Sequence, residues 1–112
     1  MSGKFEIFKA TNGKFHFHLK AGNGEIILSS QGYSSKSACQ NGIASVQKNS
    51  PSDEHYERLT AKDDSPYFRL KAANQQIIGS SEMYKSVQAR DKGIESVKTN
   101  GSTTTIKDLT DE

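Results

Sequence analysis

The sequence predicts an α+β fold built from a β-β-β-α unit used twice, and three observations carry that prediction. Residues 17–49, moved forward by 51 places, fall without a gap on residues 68–100, and seventeen of the thirty-three positions are identical. Within each copy the apolar period changes from two, the strand period, to about 3.6, the helix period. Between the apolar runs stand turn formers such as Asn12-Gly13 and Gly22-Asn23-Gly24. The expected architecture is two tandem repeats sharing one antiparallel sheet of six main strands, both helices on one face, with pseudo-two-fold symmetry. Sharing would also satisfy strand edges that a lone three-stranded unit leaves open.

Residues 4–10, rich in Phe and Ile, read as the first strand. Thr11-Asn12-Gly13-Lys14 turns it, since Asn and Gly tolerate positive φ. Residues 15–20 alternate strictly: Phe15, Phe17 and Leu19 face inward, and Lys14, His16, His18 and Lys20 face outward. A second turn leads to a short β-branched strand at 25–30. A helix follows from about Ser35, its N-cap, to Lys48, with Ala38, Gly42, Ile43 and Val46 on one side. Asn49-Ser50-Pro51 ends it. The second copy places strands at 54–60, 66–72 and 76–81 and a helix from its cap Ser86 to about Thr99. There Phe68, Leu70 and Ala72 face inward, and Tyr67, Arg69 and Lys71 outward. Asn74 is expected to take the left-handed conformation that Gly24 helps supply in copy one. Either face of the first strand could be buried; Arg58 at the Ile7 position, with Leu59 at the Phe8 position, favours Phe8 and Leu59 inward.

The chain is expected to be a single domain over 1–112, with repeat one at about 4–49 and repeat two at about 55–100. Half-length domains would bury too little surface on their own. In the tail, 101–112, Ile106-Lys107-Asp108-Leu109 echoes Tyr56-Glu57-Arg58-Leu59, so it forms either an edge strand or a frayed polar terminus.

Hydrophobic content is 32% and mean hydropathy −0.75, so the core is thin and the nine aromatics must fill much of it. Net charge is +2, which leaves nucleic-acid binding open without supporting it. One cysteine, Cys39, allows no intramolecular disulfide and no thiolate metal cluster. No apolar run approaches a membrane span, and the first residues carry no apolar signal core. A cytoplasmic monomer is the expectation.

The repeated segments carry a resemblance. Phe17-His-Leu-Lys-Ala-Gly-Asn-Gly-Glu-Ile-Ile, Gly32-Tyr-Ser-Ser-Lys and Asn41-Gly-Ile-Ala-Ser-Val return as Phe68-Arg-Leu-Lys-Ala-Ala-Asn, Ser81-Glu-Met-Tyr and Lys92-Gly-Ile-Glu-Ser-Val. This pattern resembles the YegP-like family of small uncharacterised bacterial proteins, in its tandem-duplicated form, over nearly the whole chain. The resemblance implies the doubled β-β-β-α unit, and it implies no activity, cofactor or catalytic residue. Copy two departs from the pattern at Ala73, Gln75 and Val87, which stand where copy one has Gly22, Gly24 and Lys36.

His16 and His18 have a chelating spacing, but copy two has Tyr67 and Arg69 there, so a solvated strand face is the expected reading. Cys39 is expected to be structural, and the acid pairs Asp53-Glu54 and Asp63-Asp64 to serve turns. No nucleophile elbow, phosphate loop or zinc spacing is present, so no metal, cofactor or catalytic group is assigned. The candidate binding surface is the outward row Lys14, His16, His18 and Lys20 with Tyr67, Arg69 and Lys71, a basic patch if the second and fifth strands lie close together. The leading expectation is a non-enzymatic binding or interaction module. Its partner would be a protein or, as the alternative, a nucleic acid on that sheet face. Lys20 with Lys71 and Tyr33 with Tyr84 are the repeated pairs that folding explains least.

Overall fold

A computed structural model describes residues 3–110. Strands β1 (Lys4–Lys9), β2 (Phe15–Lys20) and β3 (Ile26–Ser30) precede helix α1 (Lys36–Asn49). A single 3-10 turn at Asp53–His55 leads into β4 (Tyr56–Thr60), β5 (Pro66–Lys71), β6 (Ile77–Ser80), α2 (Val87–Asn100) and β7 (Ile106–Asp108). All seven strands join one sheet in the order β4-β5-β6-β3-β2-β1-β7. The copies meet at its centre, where β3 and β6 run antiparallel with Ser29 opposite Ser80 and Ser30 opposite Gly79. Ser80 is the residue 51 places beyond Ser29, so equivalent residues face each other there.

The sheet is mixed, which corrects the antiparallel expectation. β7 runs parallel to β1, with Phe5 opposite Ile106 and Ile7 opposite Asp108. The reason is the route of the chain. α2 returns it alongside β1 in the direction of β1, and backbone bonds from Phe5 N–H to the Thr105 carbonyl and from Leu109 N–H to the Ile7 carbonyl fasten it there.

The first strands are turned opposite to the sequence-based orientation. Phe5 and Ile7 are fully buried, each directly across from a buried β2 residue, Leu19 and Phe17. Phe8 is half-buried on the other face, with Glu6, and Leu59 shares that face in β4. Arg58 misled because β4 is an edge strand. Its inward side opens to solvent at the margin, where the guanidinium reaches Asp53 at 3.0 Å and Asp91 at 3.7 Å.

The four hairpin loops share one geometry. In each, an Ala amide bonds the carbonyl four residues on, and the amide three residues on returns to the Ala carbonyl, at Ala10, Ala21, Ala61 and Ala72. One residue per loop has positive φ: Gly13, Gly24, Asp64 and Gln75. This is a three-residue loop ending in a left-handed residue. The residue before it, Asn12, Asn23, Asp63 or Asn74, accepts a bond from an amide two residues on. Asn74 therefore does not take the left-handed conformation; Gln75 does, at φ 73°. Asn74 is fixed instead by its bond from the Gln76 amide.

Ser35 and Ser86 cap the helices by accepting from Ala38 N–H at 3.1 Å and Ala89 N–H at 3.0 Å. Ile43, Val46, Ile94 and Val97 are fully or almost fully buried in one core with Phe17, Leu19, Phe68, Leu70 and Leu28. Ala38 and Ala89 lie at its border, half-buried.

Candidate functional site

Alternation on β2 and β5 sends the predicted surface residues to the side opposite the core, but topology divides them. Two strands, β3 and β6, separate β2 from β5. At about 4.8 Å per strand the two rows lie roughly 14 Å apart. Ser29 and Ser80 stand between them, opposite His18 and Arg69. The result is two clusters, not one patch.

In the first, Glu6 comes from β1 and the basic residues from β2. Glu6 meets Lys20 at 3.0 Å and Lys4 at 3.4 Å. The Lys20 ammonium holds its carboxyl below the usual range, against the opposing effect of burial. Phe8 stacks on His16 (5.5 Å, 14°) and tilts against His18 (4.6 Å). Burial lowers the His18 pKa, favouring the neutral ring. Among the described residues no third ligand joins the histidines in a metal-binding group. Lys14 is exposed at the turn.

In the second cluster Glu57 meets Lys71 at 3.2 Å and Arg69 at 3.9 Å, and the Arg69 guanidinium lies 5.8 Å from the Tyr67 ring. Glu57 is 51 places beyond Glu6. The repeated lysines, Lys20 and Lys71, thus each have a repeated acid. Sequence reasoning missed Glu6 and Glu57, although they lie at the same offset, because they fall outside the gapless block of identities.

The repeated tyrosines define a different place. Tyr33 stacks on Phe17 (6.4 Å, 14°) and Tyr84 on Phe68 (6.1 Å, 12°). Each lies so close over a helix glycine, Gly42 or Gly93, that a Cβ there would overlap the tyrosine hydroxyl, with the Cζ only 2.8 or 2.7 Å away. Beside each tyrosine a cleft opens between the helix of one copy and the hairpin of the other. The first, about 200 Å³, has Tyr33, Ala38, Gly42 and Ser45 on one side and Ala72 and Ile78 on the other. The second, about 260 Å³, has Tyr84, Ala89, Gly93 and Ser96 against Ala21 and Ile27. Moved by 51 places, each of these six residues lands on its identical counterpart. The clefts differ where copy one places Asn41 and copy two Lys92 on the helix, and where Gln76 and Glu25 stand on the hairpins.

Cys39 is fully buried, and burial pushes its thiol up to about 11, so it stays protonated at neutral pH. His55 is held through Nδ1, 3.1 Å from the Lys71 carbonyl oxygen.

A seven-stranded sheet carrying two helices, with matching clefts between its halves, defines a tandem-repeat α+β protein. The family model described as a domain of unknown function, DUF1508, matches twice, at residues 10–57 and 61–108. The chain belongs to that family. A UPF0339 protein of Acinetobacter baylyi is 64% identical over 98% of this chain and 99% of its own. The UPF0339 protein YegP of Escherichia coli K12 is 56% identical over 98% and 100%. Two solution NMR structures resemble this fold. A UPF0339 protein of Shewanella oneidensis has TM-score 0.92 at 60% identity over 97% of this chain and 92% of that one. YegP, titled a protein of unknown function, has TM-score 0.93 at 55% identity over 97% and 94%. The relatives are uncharacterised, and they indicate no specific activity.

Proposed function

We propose that the protein is a non-enzymatic binding module that admits ligand groups into its two equivalent clefts. One observation carries this reading: six pairs of cleft-lining residues are identical between copies that agree at only about half of their aligned positions. Tyr and Gly at each cleft form a shaped wall whose hydroxyl can donate to a ligand. The test is an amide-shift screen of small fragments against the labelled protein. Shifts concentrated at Tyr33, Gly42, Tyr84 and Gly93 support the reading, and shifts confined to the opposite sheet face overturn it.

A second reading, nucleic-acid binding on the face bearing Lys14, His16, His18, Lys20, Tyr67, Arg69 and Lys71, is favoured by the Arg69 guanidinium over the Tyr67 ring. Glu6 and Glu57 offset its charge. Arg69→Glu with Lys71→Glu should abolish binding at low salt; unchanged affinity sinks this reading.

Both readings take the two repeats to be related by a pseudo-two-fold axis, with both helices packed on the Phe17 and Phe68 face. Support comes from the Ser29–Ser80 pairing and from the parallel contacts of Gly42 with Phe17 and Gly93 with Phe68. No described helix is long and apolar enough to cross a membrane. A cytoplasmic monomer accords with the polar composition, and the solution mass measured by light scattering tests the monomer.

A further inference from the structure

The two clefts are alike in wall and floor and unlike in polar chemistry. The first continues past Tyr33, Gln76 and Ile77 into a second chamber of about 400 Å³ that adds Gln31 and Gln75. Four side-chain amides, Gln31, Asn41, Gln75 and Gln76, therefore surround one tyrosine over a floor of Ile77, Ile78 and Ala72. None of the residues lining these chambers is charged. The second cleft has Lys92 and Glu25 at the places of Asn41 and Gln76.

Most amides elsewhere in the chain are engaged, the exposed Gln40 and Gln88 being the exceptions among the described residues. Asn23 and Asn74 close turns, Asn49 donates to the Ser45 carbonyl, and Gln47 donates to the Thr103 carbonyl at 2.8 Å. Among the described residues, no bond ties the head groups of Gln31, Asn41, Gln75 and Gln76 to another group. Each head presents a donor and an acceptor side by side in one plane. Gln75 also stands at the left-handed loop position that Gly13 and Gly24 fill in copy one, a backbone conformation that disfavours a side chain. Asp64 stands likewise at the place of Gly13, so copy two carries a side chain at both of its left-handed loop positions.

We propose that the first cleft binds an uncharged peptide segment through its backbone amides, a proposal that rests on the reading of the clefts as binding sites. Paired donors and acceptors match the N–H and C=O of a peptide group, and the Ile77–Ile78 floor takes a small apolar side chain. All four amides are exposed, and the lining offers a charged ligand no counter-charge. Lys92 and Glu25 make the second cleft unsuited to the same segment.

The test is an amide-shift titration of the full chain with a blocked alanine tripeptide, acetylated and N-methylamidated, beside a neutral disaccharide. The peptide should shift Tyr33, Gln76 and Ile77 at millimolar concentration, unaffected by salt, and leave Tyr84 and Gly93 in place. Asn41→Lys with Gln76→Glu gives the first cleft the pair that the second already holds, so the variant should fold. It should bind the peptide at least about tenfold more weakly, about 1.4 kcal/mol. Equal shifts in both clefts, a larger response to the disaccharide, or unchanged affinity in the double variant overturns the peptide proposal and leaves the clefts as sites. Silence of both clefts toward both probes and toward the fragment screen overturns the cleft reading as well.

Discussion

Tyr33 and Gly42 occupy adjoining volume, and the contact sets a testable opposition between local and tertiary terms. Alanine at a helix interior gains roughly 1 kcal/mol over glycine by propensity. At Gly42 its Cβ would overlap the Tyr33 hydroxyl and stand 3.1 Å from Phe17 Cε2. Overpacking of this kind costs about 1–3 kcal/mol and should win. Gly42→Ala is expected to lower the midpoint of urea unfolding, and Tyr33→Phe should restore part of the loss, because the hydroxyl is the nearest atom. Additive effects in that double-mutant cycle would contradict the contact. Ser50 offers the reverse case. It is fully buried and its hydroxyl is without a partner among the described residues. Ser50→Ala should therefore stabilise by about 1 kcal/mol, seen as a raised Tm. The glycine pair is legible in the sequence, since a helix-interior glycine costs roughly 1 kcal/mol against alanine and stands at the same place in both repeats, at Gly42 and Gly93. The tyrosine partner is not, because it sits in an irregular connector where no periodicity points a side chain.

At the scale of elements, charge pairs fix how neighbouring strands meet. Lys20–Glu6 ties β2 to β1, and Lys71–Glu57 ties β5 to β4. Glu6→Gln should cost up to about 1 kcal/mol at neutral pH. Its carboxyl is depressed in the fold, so the unfolded chain takes up a proton first as pH falls. The stabilisation is complete above the ordinary carboxylate pKa and disappears as pH drops through the lower, folded value. The difference between Glu6→Gln and the unaltered protein in urea unfolding should shrink correspondingly in acid. β7 depends on a comparable latch: Asp108 meets Lys36 at 2.8 Å, and that bond, followed by one from Thr110, keeps its carboxyl well below the usual range. Asp108→Asn should quicken hydrogen exchange at the Leu109 amide, which bonds the Ile7 carbonyl at 2.8 Å, while the Phe17 amide on β2 is unaffected. Helix ends and strand positions followed closely from the sequence because caps and alternation are local. The facing of β1 and β4 did not, since a charged residue such as Arg58 can face inward on an edge strand, and nothing local marks β4 as an edge.

For the whole molecule the decisive fact is the strand order, which no local signal contains. It splits the basic row and creates the clefts by bringing each helix against the hairpin of the other repeat. At the junction Leu28 is fully buried, and its counterpart 51 places on is Gly79. A Cβ on Gly79 would lie 2.9 Å from Leu28 Cγ and 3.0 Å from the Ser29 carbonyl oxygen. Leu28→Ala should cost about 2–5 kcal/mol through the space it leaves. Gly79→Ala should destabilise the unaltered protein and do so less in the Leu28→Ala background, a coupling that denaturant titration of the four species would measure.

That size difference has a bearing on what one chain can do that two separate halves could not. Two identical halves meeting at this strand pair must place the same residue on each side, so both would be large and collide or both be small and leave a gap. A single chain holding both halves is free to assign one role to each. With Leu28 on one side and Gly79 on the other, a copy of either half would meet itself as leucine against leucine or glycine against glycine, and the covalent join between α1 and β4 is what holds the matched pair together.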